Sequence, residues 1–560
     1  MRSKHLHHKL QTGHCQSKSP LIHQHRKSMR TLDAFFEELH ESVKTASLYD
    51  QSYYWLLLMS MGFANIADSA EVGCMGFLIT EDAFIQEIFK GERGTYGASF
   101  TGSIFAGMLV GGMITGGVGD QLGRRSILLL GLILNSISGI GASLSPTITV
   151  ICIFRFIGGL GVGAVMSSLV PLVTELSPAS KRGAYITFIH AFLPIGGLFV
   201  GGLAMFMLST WQLSWRLFMA ACSIPSLLGV ISVYYVVPES PRYLAMQGYF
   251  KEATKEANRV AYAMGYQGPM LQEDELQFHF SSTTNKMNSN GKGELEARYL
   301  ELTWSKLLNV EHLKSTIQKA VNSVGDLYCK ELRNHTIILQ IVWFCIGSGS
   351  SFGTWMLAIF ENVNIQHLYL TLFLFWVANV PGLFASGLLL DKIGRKQVLL
   401  FSMFCTGVSL LFFARASHLG AMKEDSSELY VMASSFIFHA FLVMALTANG
   451  IISSETFPTK VRATGLGVCS ASARVAMILF QFSNGAYVSQ PGFLLSISSI
   501  PIFLGAFASF FLNETKNKVL TDELRNAENK NPKHEQHKFA DNNTDFINLD
   551  YQDLKDTMIA

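Results

Sequence analysis

From Tyr54 to Leu512 the chain is a succession of nearly uncharged stretches of roughly 18 to 25 residues, the length at which a helix crosses about 30 Å of hydrocarbon. In that solvent every backbone polar group must be satisfied internally, which leaves helices or closed barrels. The stretches lie near 54–80, 98–119, 126–145, 148–174, 184–209 and 216–237, then near 335–359, 367–390, 397–416, 430–452, 463–487 and 491–512. They predict twelve transmembrane helices and an all-α membrane protein. Charged residues make up 15% of the chain, against the roughly 25% usual for soluble domains. Its 41 Phe and 48 Gly suit helices that face lipid on one side and pack through small residues on the other. A net charge of +2 offers no field to recruit nucleic acid. The eight cysteines form no C-x-x-C pair and read as packing residues, so no metal site or cofactor is expected. No G-x-x-x-x-G-K-[ST] occurs, which leaves ATP-driven pumps without support, and the chain is not expected to be an enzyme.

Basic residues in the short loops set orientation: Arg124, Arg125, Lys181 and Arg182, then Lys392, Arg395, Lys396, Lys460 and Arg462. Those loops are expected on the cytoplasmic side, with both termini, in a plasma or vesicle membrane. Residues 1–50 form a cytoplasmic segment, largely disordered, in which His5, His7, His8, His14, His23 and His25 leave a metal tract as the alternative. Met29, followed at once by the acidic segment Thr31 to Ala46, is an alternative start. Two helical bundles at 51–238 and 335–513 flank a polar cytoplasmic linker at 239–334, with a helix-like stretch from Phe250 to Met264. A cytoplasmic tail follows at 514–560.

The two sets of six are related by duplication. Gly116 to Arg125 reads G-G-V-G-D-Q-L-G-R-R and Gly387 to Lys396 reads G-L-L-L-D-K-I-G-R-K, which aligns Gly116, Asp120, Gly123, Arg124 and Arg125 with Gly387, Asp391, Gly394, Arg395 and Lys396. Glu175, Pro178 and Arg182 recur as Glu455, Pro458 and Arg462 with the same internal spacing. The loop needs Gly for its turn, and Asp is suited to cap the next helix or pair with a neighbouring Arg. A clasp of that kind gates a conformation; the alternative is that the basic residues serve topology alone.

This repeated G-x-x-x-D-x-x-G-R-[RK] resembles the signature of the major facilitator superfamily, over residues 50–515. The resemblance implies two pseudo-symmetric six-helix bundles around a central solute site. Val237 to Leu244, V-P-E-S-P-R-Y-L, resembles sugar porters and relatives of synaptic vesicle glycoprotein two alike. Ala67 to Phe77, A-D-S-A-E-V-G-C-M-G-F, and Ser214 to Phe218, S-W-R-L-F, are similar to the vesicle-glycoprotein pattern. Gln121 departs from the usual basic residue, and only Phe360 to Gln366 joins the seventh and eighth spans, where vertebrate members of that family carry a large luminal domain. The glutamines of sugar porters are missing from Phe188 to Gly197 and from Gly347 to Trp355, which disfavours a typical hexose porter.

A charge at membrane depth costs a few kcal/mol, so each needs a partner, a water cavity or a task. Asp68 and Glu71 share one face of the first span, and Arg474 lies roughly 18 Å into the eleventh at 1.5 Å per residue. The two acids are expected to exchange a proton or meet a cationic group, with Arg474 meeting an anionic group or holding one acid. A structural ion pair is the alternative. Arg155 opens R-F-I-G-G-L-G-V-G, a pattern the superfamily resemblance links to proton coupling, its glycines serving helix packing. His190, His439 and Asn449 are candidate cavity residues, and Trp343, Phe352 and Trp355 a candidate aromatic wall, with Trp355 favoured by the resemblance. The function expected is secondary transport of a small organic solute by alternating access, coupled to protons. A transport-deficient vesicle protein with a binding or regulatory role is the alternative. The partners are solute, protons and the lipid bilayer.

Overall fold

A computed structural model describes residues 31–44, 48–281, 324–330, 332–366, 368–421, 427–458 and 461–515. They lie in one compact unit, Met1–Phe457 with Val461–Asn517; the second unit, Pro458–Lys460 with Lys518–Ala560, holds only Pro458 among them. Residues 1–30, with the histidine tract, fall outside the description, as do most of the linker run after Ser281 and Lys460.

Regular structure among the described residues is helical throughout. In chain order the long helices are α1 (Leu48–Leu78), α2 (Arg93–Leu122), α3 (Arg124–Ser143), α4 (Ile148–Glu175), α5 (Arg182–Thr210) and α6 (Trp215–Val236). They are followed by α7 (Arg333–Thr354), α8 (Leu370–Leu390), α9 (Arg395–Ala421), α10 (Ser427–Thr456), α11 (Arg462–Tyr487) and α12 (Pro491–Ser509). Eleven are long and apolar enough to cross a membrane. The other is α1, 31 residues long, whose apolar run is diluted in the middle by Asn65, Asp68 and Glu71.

The pairing of helices repeats between halves. In the first, α2 and α3 pack on α4, α1 packs on α5 and α6, and α3 meets α6. In the second, α8 and α9 pack on α10, α7 packs on α11 and α12, and α9 meets α12. The halves join along α2 with α11 and along α5 with α8, contacts that the same two-fold relation exchanges. Small residues bring the α2–α4 pair close: a Cβ on Gly159 would stand 2.9 Å from Gly107 Cα. The glycines after Arg155 therefore serve packing, as their spacing implies.

Proline places the interruptions in α5 and α8. Pro194 lacks the N–H that would bond the His190 carbonyl, and α5 breaks at Ala191. Pro381 does the same to Val377, and α8 breaks at Ala378. The Gly- and Ser-rich centre of α7 tightens into a 3-10 turn at Ser351–Thr354 before helix resumes over Met356–Asn362.

The turns of the repeated motif sit at its second glycine. Gly123 has φ 93° and Gly394 φ 121°, whereas Gly116 and Gly387 lie inside helices. Gly394→Ala is expected to lower thermal stability by about 1–2 kcal/mol, since φ is left-handed there. Gly387→Ala, with open space around its Cβ, should be neutral or stabilising by about 0.5–1 kcal/mol. Thermal melts of both variants in detergent check the contrast.

Beyond the bundles, Leu32–Lys44 shares one buried cluster with Pro241–Met246, Phe250–Ala263 and Glu273–Ser281, of which Phe250–Ala263 matches the stretch expected from Phe250 to Met264. Phe35, Phe36 and Leu39 of that first helix are buried with Tyr54, Ala257, Tyr266 and Leu276 in one cluster. Tyr266 donates to Glu38 at 2.7 Å.

Candidate functional site

Two acids one turn apart on α1 meet different surroundings. Glu71 is 2% exposed and forms an ion pair with Arg155 of α4, which is 0% exposed. Glycines make room for the carboxylate: a Cβ on Gly158 would stand 2.9 Å from Glu71 Oε1, and one on Gly139 3.6 Å from Oε2. Asp68 is 3% exposed, and neither of its carboxylate oxygens has a hydrogen-bond partner among the described residues. The opposite charge acting on it belongs to Arg474 of α11, in the other half. Arg474 is half-buried, and its guanidinium donates to thioether sulfurs, Met166 of α4 at 2.9 Å and Met477 at 3.9 Å.

The remaining candidates lie around this centre or at one end of it. His190 is half-buried at the break of α5, beside the Ile189 carbonyl that accepts from Asn65 Nδ2 at 2.8 Å. Asn449 is fully buried with both amide atoms unpartnered among the described residues, and Trp343 donates to Ser453 of the same helix at 2.9 Å. His439 lies tilted against Phe375 with centroids 4.0 Å apart and meets Asn379 Nδ2 through Nε2 at 3.1 Å. Phe352, also fully buried, sits 6.2 Å from the Phe438 ring.

Trp355 is fully buried in a joint between the halves. Its Nε1 donates to Gln481 Oε1 at 2.6 Å, and its ring covers Gly97 of α2, where a Cβ would lie 2.9 Å away. A Cβ on Gly94 would stand 3.0 Å from the Gly485 carbonyl, and Arg93 bonds Glu361 at 2.6 Å. At this end α2 and the segment after α7 are therefore in contact. Gln481 was not among the residues expected at the site; a buried amide deep in α11 was the available signal.

The repeated motifs close each half upon itself at the other end. Arg124 lies 3.8 Å from Glu175 and Arg395 3.4 Å from Glu455, matching positions of the duplication. Arg125 donates to the Tyr234 carbonyl at 2.6 Å and lies over that ring, and Lys396 lies 5.1 Å over Phe510. Arg462 donates to the Phe457 carbonyl at 3.3 Å, and Arg182 to that of Thr174 at 3.0 Å. Asp120 and Asp391 sit within the last turns of their helices, not at an N-cap; their side chains, with that of Gln121, are outside the described set.

The capping expected of those aspartates falls instead to Glu239 and Glu514. Glu239 Oε1 accepts from Arg125 N at 3.0 Å, while Glu514 accepts from Arg395 N at 3.0 Å and Lys396 N at 3.1 Å. A carboxylate at a helix N-terminus meets both free N–H groups and the positive end of the dipole. Burial pushes the Glu239 carboxyl up, against the backbone N–H groups of Arg125, Ser240 and Ser126 that draw it down. The signal was present as Glu-Ser and Glu-Thr directly after the sixth span of each half.

Asp33 ties the first helix to this end by bonding both Arg182 and Arg242, the latter at 2.6 Å. Burial alone would raise its carboxyl, but Arg242 and Arg182 outweigh it and hold the group below its ordinary 3.8. A depressed carboxylate contributes stability above its unfolded value and loses it as pH falls through the folded one. Asp33→Asn is thus expected to cost under about 1 kcal/mol at pH 7, because the pairs are partly exposed. The difference from the parent protein should stay flat from pH 7 to 5 and shrink only below the carboxylate range, as read by thermal melts.

A model of the sugar (and other) transporter family matches residues 57–524. The chain is 29% identical over 418 residues to organic anion transporter 3 of Mus musculus, covering 73% of this chain and 68% of that protein. It is 28% identical to solute carrier family 22 member 12 of Mus musculus, covering 75% and 68%. With putative transporter svop-1 of Caenorhabditis elegans it shares 25% identity over 72% of each. The partially occluded inward open structure of the xylose transporter XylE from E. coli superposes with a TM-score of 0.62 at 19% identity, covering 84% of this chain and 100% of that one, a likeness of fold.

Proposed function

The chain belongs to the sugar (and other) transporter family, with the major facilitator fold, and is a transmembrane solute transporter and not an enzyme; from that premise we infer that it carries a small organic anion by alternating access, coupled to protons. The observation that carries this reading is Arg474, a half-buried guanidinium held by thioethers and facing an unbonded acid across the junction of the halves. Thioether sulfur is a weak acceptor, so the guanidinium keeps donors for an anionic group. The names of the relatives called organic anion transporters support the same substrate class.

Alternating access is supported by where contacts cross between halves. The joint of Trp355, Gly97, Gly94 and Gly485 with the Arg93–Glu361 pair closes one end. We assign that end to the non-cytoplasmic side, because the basic loops lie at the opposite one. On that assignment residues 1–50, 239–334 and 514–560 are cytoplasmic, and 51–238 and 335–513 are the moving bodies. The Arg124–Glu175 and Arg395–Glu455 pairs, with Arg182, Arg462, Lys396 and the two aspartates of the repeat, act as gating elements that keep each body rigid. The A-D-x-x-E-V pattern at Ala67 supports a vesicle-glycoprotein-like member, in a plasma or vesicle membrane.

Uptake into proteoliposomes tests the reading, with radiolabelled benzoate, glutarate, benzylammonium and glucose offered with and without an inward proton gradient. Saturable, gradient-stimulated uptake of an anion is the expected result. Uptake of benzylammonium or glucose alone would turn the assignment of Arg474 around.

A further inference from the structure

The guanidinium of Arg474 is met by sulfur from two directions, and one of the two contacts crosses between the halves. Met477 stands on the same helix three residues on, with Sδ 3.9 Å from Nη1. Met166 belongs to α4 of the first half, and its Sδ accepts from Arg474 Nη2 at 2.9 Å. Each backbone is tied to its own half. Next to Met166, Ser167 shares a hydrogen bond with Thr115 of α2 at 2.8 Å, and a Cβ on Gly163 would stand 2.6 Å from Gly112 N. Next to Arg474, Ala473 lies against α7, where a Cβ on Gly347 would come within 2.8 Å of its Cα. The Met166–Arg474 contact therefore breaks whenever α4 and α11 part. Met166 is nevertheless 43% exposed, so a small uncharged oxidant has access to its side chain.

Resting on the reading of Arg474 as the anion contact, we propose that Met166 is an oxidation site at which one added oxygen atom turns transport off, by fastening Arg474 to the first half. The oxidant is a hydroperoxide, of which hydrogen peroxide is the simplest. The thioether sulfur attacks a peroxide oxygen, and the O–O bond breaks as the S–O bond forms. One methionine and one hydrogen peroxide give one methionine sulfoxide and one water. The sulfur is oxidised by two electrons and the peroxide is reduced by the same two. Methionine sulfoxide reductases reverse the step, which makes the modification a switch.

The change of acceptor carries the effect. A thioether accepts weakly, so the reduced contact opens at little cost on each cycle and leaves the guanidinium's donors to an anion. A sulfoxide is polar, and its oxygen bonded to a guanidinium makes a charge-assisted hydrogen bond. That oxygen sits one bond beyond a sulfur already at 2.9 Å, so the side chain must turn to present it, and an unbranched methionine has the rotatable bonds to do so. Two consequences follow from the one bond: an arriving anion must displace it, and α4 stays fastened to α11. Replacing a weak bond with a charge-assisted one corresponds to roughly tenfold in each equilibrium. Met477 is placed differently, since its sulfoxide would bond Arg474 within one helix and fasten nothing across the junction.

The test uses the full-length protein in proteoliposomes, with radiolabelled benzoate as probe. Hydrogen peroxide is applied, then dithiothreitol, which reverses sulfenic acids and disulfides but leaves sulfoxides. Initial uptake is expected to fall about tenfold, in step with the fraction of Met166 that gains one oxygen in peptide mass spectrometry, and to return after treatment with methionine sulfoxide reductases of both stereospecificities. Each variant is compared with its own untreated form. Met166→Leu should lose the response to peroxide, whereas Met246→Leu, at a residue 61% exposed on the short helix Pro241–Met246, should keep it. Met166→Gln imitates the sulfoxide without oxidant, because its side chain ends in an amide oxygen. Combined with Ala98→Cys, Met166→Gln should slow labelling by a membrane-impermeant maleimide about tenfold and Met166→Leu should not, a readout that needs no substrate. A response to peroxide that persists in Met166→Leu, or labelling at the parent rate in a Met166→Gln variant that melts like the parent, would overturn the inference. Slowed labelling in Met166→Gln, with a parent protein that moves no benzoate, would support the fastening of Arg474 and sink the choice of an anion as solute.

Discussion

Glu71→Met is expected to destabilise the purified protein by roughly 3–5 kcal/mol, Arg155→Met by less, and the double variant by least of all. Both side chains are enclosed, at 2% and 0% exposure, so removing either partner strands an ion that water cannot reach. The asymmetry comes from chemistry. A stranded guanidinium cannot shed its proton, whereas a stranded carboxyl can take one up and become neutral. Replacing both with Met, of similar length and no charge, removes the desolvation cost together with the attraction, and buried pairs exchanged in this way are often close to neutral. Thermal melts of the three variants in detergent measure the order. Losses that simply add would mean the two groups do not act as a pair.

Trp355→Ala has the second large effect, on conformation as much as on stability. Truncating a fully buried Trp costs about 3–5 kcal/mol; the bond to Gln481 of α11 lies within the second half, whereas the contact with the face of Gly97 on α2 crosses between the halves and exists only while this end is closed. Only that cross-half share falls on one conformer, and at 1.4 kcal/mol per factor of ten a share of about 1–2 kcal/mol moves the balance roughly tenfold toward opening. The Arg93–Glu361 pair beside it is part-exposed and contributes at most about 1 kcal/mol, so Arg93→Gln should leave the closure largely in place. A cysteine introduced at Ala98, 1% exposed in the closed arrangement, reports the change through its rate of labelling by a membrane-impermeant maleimide. Faster labelling is expected in Trp355→Ala and little change in Arg93→Gln. Equal rates in the parent and Trp355→Ala would remove Trp355 from the closure.

The two predictions draw on residues that differ in how far they could be read in advance. Asp68, Glu71, Arg155 and Arg474 stood out in the chain because a charge in an apolar run is costly wherever the helix ends up. Their pairing did not. Three-residue spacing on α1 made Asp68 and Glu71 look like one unit, but neighbours on a helix face are separated by whatever packs over each of them. Gly139 and Gly158 come from helices whose rotation no local pattern specifies. Trp355 was singled out as a cavity wall and sits instead in the joint between the halves, since an aromatic side chain is equally suited to lipid, cavity and core.

Span number, the duplication and the turn glycines at 123 and 394 were legible from one dimension, because hydrocarbon thickness, backbone satisfaction and left-handed φ act on each stretch of chain independently of its neighbours. The breaks of α5 and α8 belong to the same class, being written in Pro194 and Pro381. Partnership belonged to the folded molecule. Glu239 and Glu514 reach their helix ends from more than a hundred residues away, Arg155 selects Glu71 over Asp68, and Asp68 is left facing Arg474 across the junction. Each depends on which helix lies against which, and that is decided by the summed packing of all twelve.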